Sequence, residues 1–154
     1  MTHTLRAARS TDAGKLGAIL SEAVAANTWK PQLHTEAEDI AHIGDLIDRG
    51  WITVCQNDDV VSGFIALDGP RIQSLYVKGS EQNAGIGAKL LEWAKSESER
   101  LELWTFEANT GAQRFYRAHG FIEAERTDGS GNEEGLPDVK YVWRKDATKE
   151  TDHG

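Results

Sequence analysis

Residues 82–87 read Gln82-Asn83-Ala84-Gly85-Ile86-Gly87 and stand at the head of a stretch in which Ile86, Leu90, Trp93 and Ala94 recur at helical spacing. The chemistry open to such a turn is anion binding. A helix start presents backbone N–H groups with no intrahelical acceptor, at the positive end of the helix dipole. Glycine at 85 and 87 removes the Cβ atoms that would hold an anion away from the backbone. Together these features describe a phosphate cradle. Two phosphate-binding patterns do not fit it. A P-loop needs Lys-Ser or Lys-Thr after its second glycine. Here Gly79 and Gly85 lie six apart and Ile86 follows. A dinucleotide fingerprint needs a third glycine three residues after Gly87, where Leu90 stands.

The elements that must position this turn follow from hydrophobic pattern. Residues 5–8 form a strand. Ser10-Thr11-Asp12 offers helix-capping side chains, and Leu16, Ile19, Leu20, Ala23 and Val24 mark a helix to about Asn27. Trp29-Lys30-Pro31 interrupts it. Thr35 and Glu38 form a capping box for a second helix, with Ile40, Ile43 and Ile47 on one face and a stop at Gly50. Strands over 51–56, 60–67 and 72–77 are separated by the turns Asn57-Asp58-Asp59 and Asp68-Gly69-Pro70, so they make an antiparallel meander. After the glycine-bearing turn and its helix comes a strand over 101–106. A short helix then opens at Asn109-Thr110, carries Ala112, Phe115, Tyr116 and His119 on an inward face, and ends at Gly120. Strands over 121–126 and 139–144 flank a polar loop of eleven residues, 127–137. The strand, helix, strand unit from 72 to 106 makes its two strands parallel. The expected fold is a mixed α/β sheet in the order β-α-α-β-β-β-α-β-α-β-β. It forms one domain over 1–145, with a polar, disordered tail over 146–154.

Two motifs placed in that order resemble the GNAT superfamily of N-acetyltransferases. The first is Gln or Arg, two residues, Gly, one residue, then Gly or Ala, between the fourth strand and third helix. Residues 82–87 match it at every defined position. The second lies about twenty residues on, where Asn109, Ala112 and Phe115-Tyr116-Arg117-Ala118-His119-Gly120-Phe121 resemble the family's later motif with its Phe-Tyr pair and Gly-Phe ending. The resemblance runs over about 5–144, is strongest over 72–121 and is thin before 51.

That resemblance implies acetyl-CoA as cosubstrate and no metal. It implies that the backbone of Gln82, Asn83, Ala84, Gly85, Ile86, Gly87 and Ala88 holds the CoA pyrophosphate. Leu75, Tyr76 and Val77 would pair with the pantetheine arm as an added strand where the fourth and fifth strands splay, and Asn109 would face the cofactor. Tyr116 would protonate or stabilise the departing CoA thiolate. The amine would attack the thioester directly, with a backbone N–H near Tyr76 or Val77 polarising the carbonyl. Many relatives carry a glutamate on the fourth strand as base, but residues 72–77 contain no carboxylate. Glu107, Glu133, Glu134 and a water relay are the alternatives. The acceptor pocket would take Trp29, His34 and the run Asp128-Gly129-Ser130-Gly131-Asn132-Glu133-Glu134. A small-molecule amine is the leading acceptor. A protein N-terminus or lysine is the alternative, and a non-catalytic acyl-CoA sensor is a third reading. The resemblance also implies a homodimer, with an exposed strand or the aromatic Tyr141 and Trp143 at its interface.

Composition bounds these readings. The chain has 154 residues and a net charge of −8, which disfavours nucleic acid and mildly favours a cationic acceptor. Cys55, the single cysteine, lies in an apolar run and reads as a buried, inert thiol. His34, His42 and His119 have no metal-site spacing. With no apolar run of bilayer length and no signal-like N-terminus, a soluble cytoplasmic protein without membrane partners is expected.

Overall fold

A computed structural model describes residues 3–27, 31, 33–81 and 85–145. Its elements are β1 (His3–Ala7), α1 (Ala13–Ala26), α2 (Glu36–Asp48), β2 (Ile52–Asn57), β3 (Val60–Asp68), β4 (Arg71–Val77), α3 (Ile86–Glu97), β5 (Arg100–Phe106), α4 (Thr110–Ala118), β6 (Ile122–Thr127) and β7 (Asp138–Arg144). That is the expected order, with two short 3-10 turns added at Ser10–Asp12 and Gly79–Glu81. Hydrogen bonding orders the seven strands β1-β2-β3-β4-β5-β7-β6. The chain divides into two compact units. One is Met1–Asp68 with Ile72–Trp93, and the other is Gly69–Arg71 with Ala94–Gly154.

In the first unit β2 pairs antiparallel with both β1 and β3. Its apolar side chains meet those of two helices. Leu16 and Ile19 of α1, Ile43, Leu46 and Ile47 of α2, and Ile52, Val54, Phe64 and Ala66 of the sheet form the core. Gly17 lets the helices approach, because a Cβ there would lie 2.5 Å from Ile40 Cγ1. The capping box at α2 forms as its spacing predicts. Glu38 N–H donates to Thr35 Oγ1 at 3.2 Å and Thr35 N–H donates to Glu38 Oε1 at 3.0 Å. Asp12 differs from the expectation. Its side chain makes no cap bond to α1. It accepts Arg9 N–H at 2.7 Å and a two-pronged bond from Arg6 at 2.8 and 3.0 Å, tying β1 to the start of the helix. The ionised partner on β1 outcompetes the helix amides for the carboxylate. Cys55 is fully buried, and burial pushes its thiol pKa up, so it holds its proton and is a poor nucleophile.

In the second unit β7 lies between β5 and β6, antiparallel to both. Arg71 pairs in parallel with Glu102 of β5, the one parallel pairing the strand, helix, strand unit requires. Leu101, Leu103, Phe121, Val139 and Tyr141 are buried. Tyr141 is 1% exposed and its hydroxyl donates to Gln113 Oε1 at 3.1 Å, so it belongs to the core rather than to the interface suggested from sequence. Gly120, at φ +89°, ends α4 as expected. Among the described residues no helix is long and apolar enough to cross a membrane. The expected tail lies outside the described residues.

Candidate active site

The first unit supplies the turn and strand that were singled out for cofactor contact. Gln82, Asn83 and Ala84 lie outside the described residues, as does Trp29. Gly85 adopts φ +79°, a left-handed conformation in which a side chain would be strained, although a Cβ there would point into open space. Its carbonyl accepts Lys89 N–H at 3.0 Å and so opens α3. The amides of Ile86, Gly87 and Ala88 therefore fall in the first turn, where no intrahelical acceptor exists. A helix start with unsatisfied amides beside an open glycine is the geometry that an anion-binding turn requires.

Leu75, Tyr76 and Val77 end β4 half-buried, with the Tyr76 ring packed on Phe64 at 5.8 Å between centroids. What brings this strand end to the turn is a residue the sequence reading passed over. Gly63 sits beside an irregularity in β3, where Cys55 faces Gly63 but Gln56 faces Val61. A Cβ at Gly63 would lie 2.8 Å from the Tyr76 carbonyl oxygen, 3.3 Å from Val77 Cα and 3.2 Å from Ile86 Cγ2. Only glycine lets β4 and the first residue of α3 close on β3 there. The displaced Ser62 carbonyl then accepts Lys78 N–H at 2.7 Å. A lone glycine inside a strand pattern is the signal that marks such a bulge. Glu22 of α1 was also missed. It accepts Gly79 N–H at 2.8 Å and so fixes the 3-10 turn ahead of residues 82–84.

The second unit supplies the candidate acid. Asn109 caps α4, its Oδ1 accepting Ala112 N–H at 3.1 Å. Tyr116 is buried, with its ring edge-on to Phe115 at 5.2 Å and to Phe121 at 5.4 Å. Phe115 also meets His119 at 4.6 Å. The most enclosed residues of α4 are Tyr116 and Gln113. Gln113 was absent from the expected inward face. Its amide donates to the Glu107 carbonyl at 2.7 Å while its oxygen accepts from Tyr141. It thereby locks α4 to the end of β5 and to the middle of β7.

The candidate bases lie in the same unit. Glu107 is about half exposed and stands 3.6 Å from the Arg126 guanidinium. Glu133 is exposed and Glu134 half-buried, both in the 127–137 segment. That segment is tied up by its own polar groups. Asn132 Nδ2 donates to the Leu136 carbonyl at 2.7 Å, Leu136 N–H returns to Asn132 Oδ1 at 3.2 Å, and Thr127 Oγ1 donates to Asp138. The Asn132 side chain is thus committed to the loop. The amide of Ser130, donating to Asp128, holds that carboxyl below its ordinary pKa. In the first unit His34 is exposed, 3.7 Å from Glu38. Among the described residues no cluster of three or more His, Cys, Asp or Glu is disposed to hold a metal.

A family model described as an acetyltransferase (GNAT) domain matches residues 48–123, the span from the end of α2 through α4 that carries both motifs. The chain belongs to the GNAT acetyltransferases. Among its GNAT relatives are the peptidyl-lysine N-acetyltransferases YjaB of Escherichia coli and Salmonella typhimurium. The first is 28% identical over 146 residues, covering 92% of this chain and 99% of the relative. The second is 28% identical over 134 residues, covering 83% and 89%. The solution structure of apo YjaB from Escherichia coli superposes with a TM-score of 0.74 at 24% identity, covering 93% of this chain and 98% of that one. The structure of YncA from Salmonella typhimurium, described as a putative acetyltransferase with its cofactor acetyl-CoA, gives 0.74 at 19% identity, covering 95% of each. These likenesses bear out the mixed-sheet GNAT fold.

Proposed function

We propose that this GNAT acetyltransferase transfers the acetyl group of acetyl-CoA to the side-chain amine of lysine in a peptide or protein. The observation that carries the acceptor is the kinship, over 83–92% of the chain, with enzymes named for peptidyl-lysine. It favours the protein acceptor, the alternative expected from sequence, over the small-molecule amine. The net charge of −8 agrees, since a lysine-bearing segment is cationic.

In this reading the amides of Ile86, Gly87 and Ala88, with the turn before them, bind the CoA diphosphate. The backbone of Leu75, Tyr76 and Val77 carries the pantetheine arm. The neutral lysine nitrogen attacks the thioester carbonyl carbon, the C–N bond forms and the C–S bond breaks. The thiolate takes the phenol proton of Tyr116, which is regained from solvent. The proton lost by the amine passes to Glu107, to a carboxylate of the 127–137 segment or to water.

The deciding experiment measures thiol release from acetyl-CoA with lysine-containing peptides, the same peptides with arginine for lysine, and a panel of small amines. Release with the lysine peptides alone, with acetyl mass found on lysine, is the expected result. Release only with small amines would overturn the acceptor. Thermal stabilisation by acetyl-CoA without release from any amine would favour the sensor. A Gly85→Glu, Gly87→Glu double variant serves as control. Acetyl-CoA at about 100 times its Kd stabilises by about 2.7 kcal/mol, and the variant should lose that shift.

A further inference from the structure

A cavity lies wholly within the first unit, between α1, the β2–β3 hairpin and the residue that follows β4. Its volume is about 340 Å³, at the small end of ligand-binding clefts. Lys15, Ala18, Ile19 and Glu22 line it from α1 at positions i, i+3, i+4 and i+7, one continuous helix face. Asp59, Val60, Val61 and Lys78 close the other side. The floor is apolar. Ile19 and Val61 are 6% exposed and belong to the core, while Val60 is 45% exposed, uncovered for so apolar a residue.

The rim is charged and largely unspent. Glu22 is committed to Gly79 N–H at 2.8 Å, which also fixes the wall of the cavity. Among the described residues Lys15, Lys78 and Asp59 have neither an ion pair nor a side-chain hydrogen bond. Two free cations and one free carboxylate thus surround an apolar floor. An inorganic anion would leave the floor and Asp59 unused. A fatty acid would meet Asp59 with nothing to offer it. The complementary ligand has a carboxylate, an ammonium and a short aliphatic body.

We propose that this cavity is a binding site for a free α-amino acid with a branched aliphatic side chain. Its carboxylate is taken by Lys15 and Lys78, its ammonium by Asp59, and its side chain by Ile19, Val60 and Val61. The site uses none of the residues assigned to acetyl-CoA or to proton transfer, and it stands whether or not lysine is the acceptor.

The test is a methyl NMR titration of the full chain with L-leucine in the absence of acetyl-CoA. Saturable shifts are expected at the Ile19, Val60 and Val61 methyls, with a Kd of about 1 mM or tighter. Leucinamide, which lacks the carboxylate, and 4-methylpentanoate, which lacks the ammonium, should each bind about tenfold more weakly. Lys15→Ala and Asp59→Asn, both at exposed positions, should weaken leucine to a similar degree with unchanged melting temperature. The absence of saturable shifts would overturn the proposal, as would binding of either analogue as tightly as leucine or indifference to both substitutions. Thiol release from acetyl-CoA is not read, so failure here leaves the acetyltransferase reading untouched.

Discussion

Tyr116 occupies a position that serves both packing and chemistry, and a single oxygen atom separates the two. Its ring is held edge-on by Phe115 and Phe121. Phenylalanine preserves those contacts and removes only the proton donor. Tyr116→Phe is therefore expected to lower kcat by about 10²–10⁴, the range of a positioned general acid, with the acetyl-CoA Kd and the melting temperature nearly unchanged. Steady-state kinetics with isothermal titration checks this, and an unaltered kcat would leave Tyr116 a core residue only. The same helix shows where reading residues from sequence stops. Tyr116 was legible because it sits in a Phe-Tyr pair of recognisable spacing. Gln113 was not, because a glutamine reads as surface until its partners are known. Those partners are the Glu107 carbonyl and the Tyr141 hydroxyl, the latter 28 positions away. Tyr141 was misplaced for the mirror reason. Alternation along β7 shows that its aromatic residues share a face, but not that this face is the one packed inward.

At the scale of elements, local signals carried most of the fold. The capping box at Thr35, the stops at Gly50 and Gly120 and the meander turns are all decided by residues within a few positions of one another. What escaped was closure by distant groups. The clearest case is the segment between β6 and β7, which reads as a polar loop and folds as a tied one. Gly129 is buried there at φ +87°, and a Cβ would fall 2.3 Å from the Leu136 carbonyl carbon. Gly131, two residues on, has nothing within 4 Å. Gly129→Ala should therefore destabilise the protein by about 1–3 kcal/mol, through backbone strain and displacement of Leu136, while Gly131→Ala stays within about 0.5 kcal/mol of the parent. Paired urea melts measure the difference. Equal effects at the two positions would show that the tie between Gly129 and Leu136 carries no energy. If the segment contributes the acceptor-side carboxylates, Gly129→Ala should also raise the peptide KM more than Gly131→Ala does.

At the scale of the whole molecule the charge pattern sets the response to acid. The Thr35 amide holds Glu38 below its ordinary pKa. Burial raises that of Glu102, but Lys140, Arg100 and Arg71 together bring it below the usual value, and Arg126 does the same for Glu123. The largest such effect is at Asp12, which the bonds from Arg6, opposed by burial and aided by the Arg9 amide, bring from 3.8 to about 2. A carboxyl whose pKa is lower in the folded chain than in the unfolded one binds fewer protons when folded. Its stabilisation is full above the unfolded value and disappears as pH falls through the folded one. For Asp12 that window runs from about pH 4 down to about pH 2, and the loss amounts to about 2 kcal/mol. Asp12→Asn removes the ionisation while leaving a side chain that still accepts Arg9 N–H. Its unfolding free energy at pH 7 should fall below that of the parent by about that amount. The gap should narrow through the window to a few tenths of a kcal/mol, about RT ln 2, near pH 2, where the parent carboxyl is itself half protonated. Urea titrations from pH 7 to pH 2 follow both proteins. A gap that stays constant with pH would mean that the fork from Arg6 orders β1 against α1 without favouring the ionised carboxylate, and the acid response would then belong to the more exposed ion pairs.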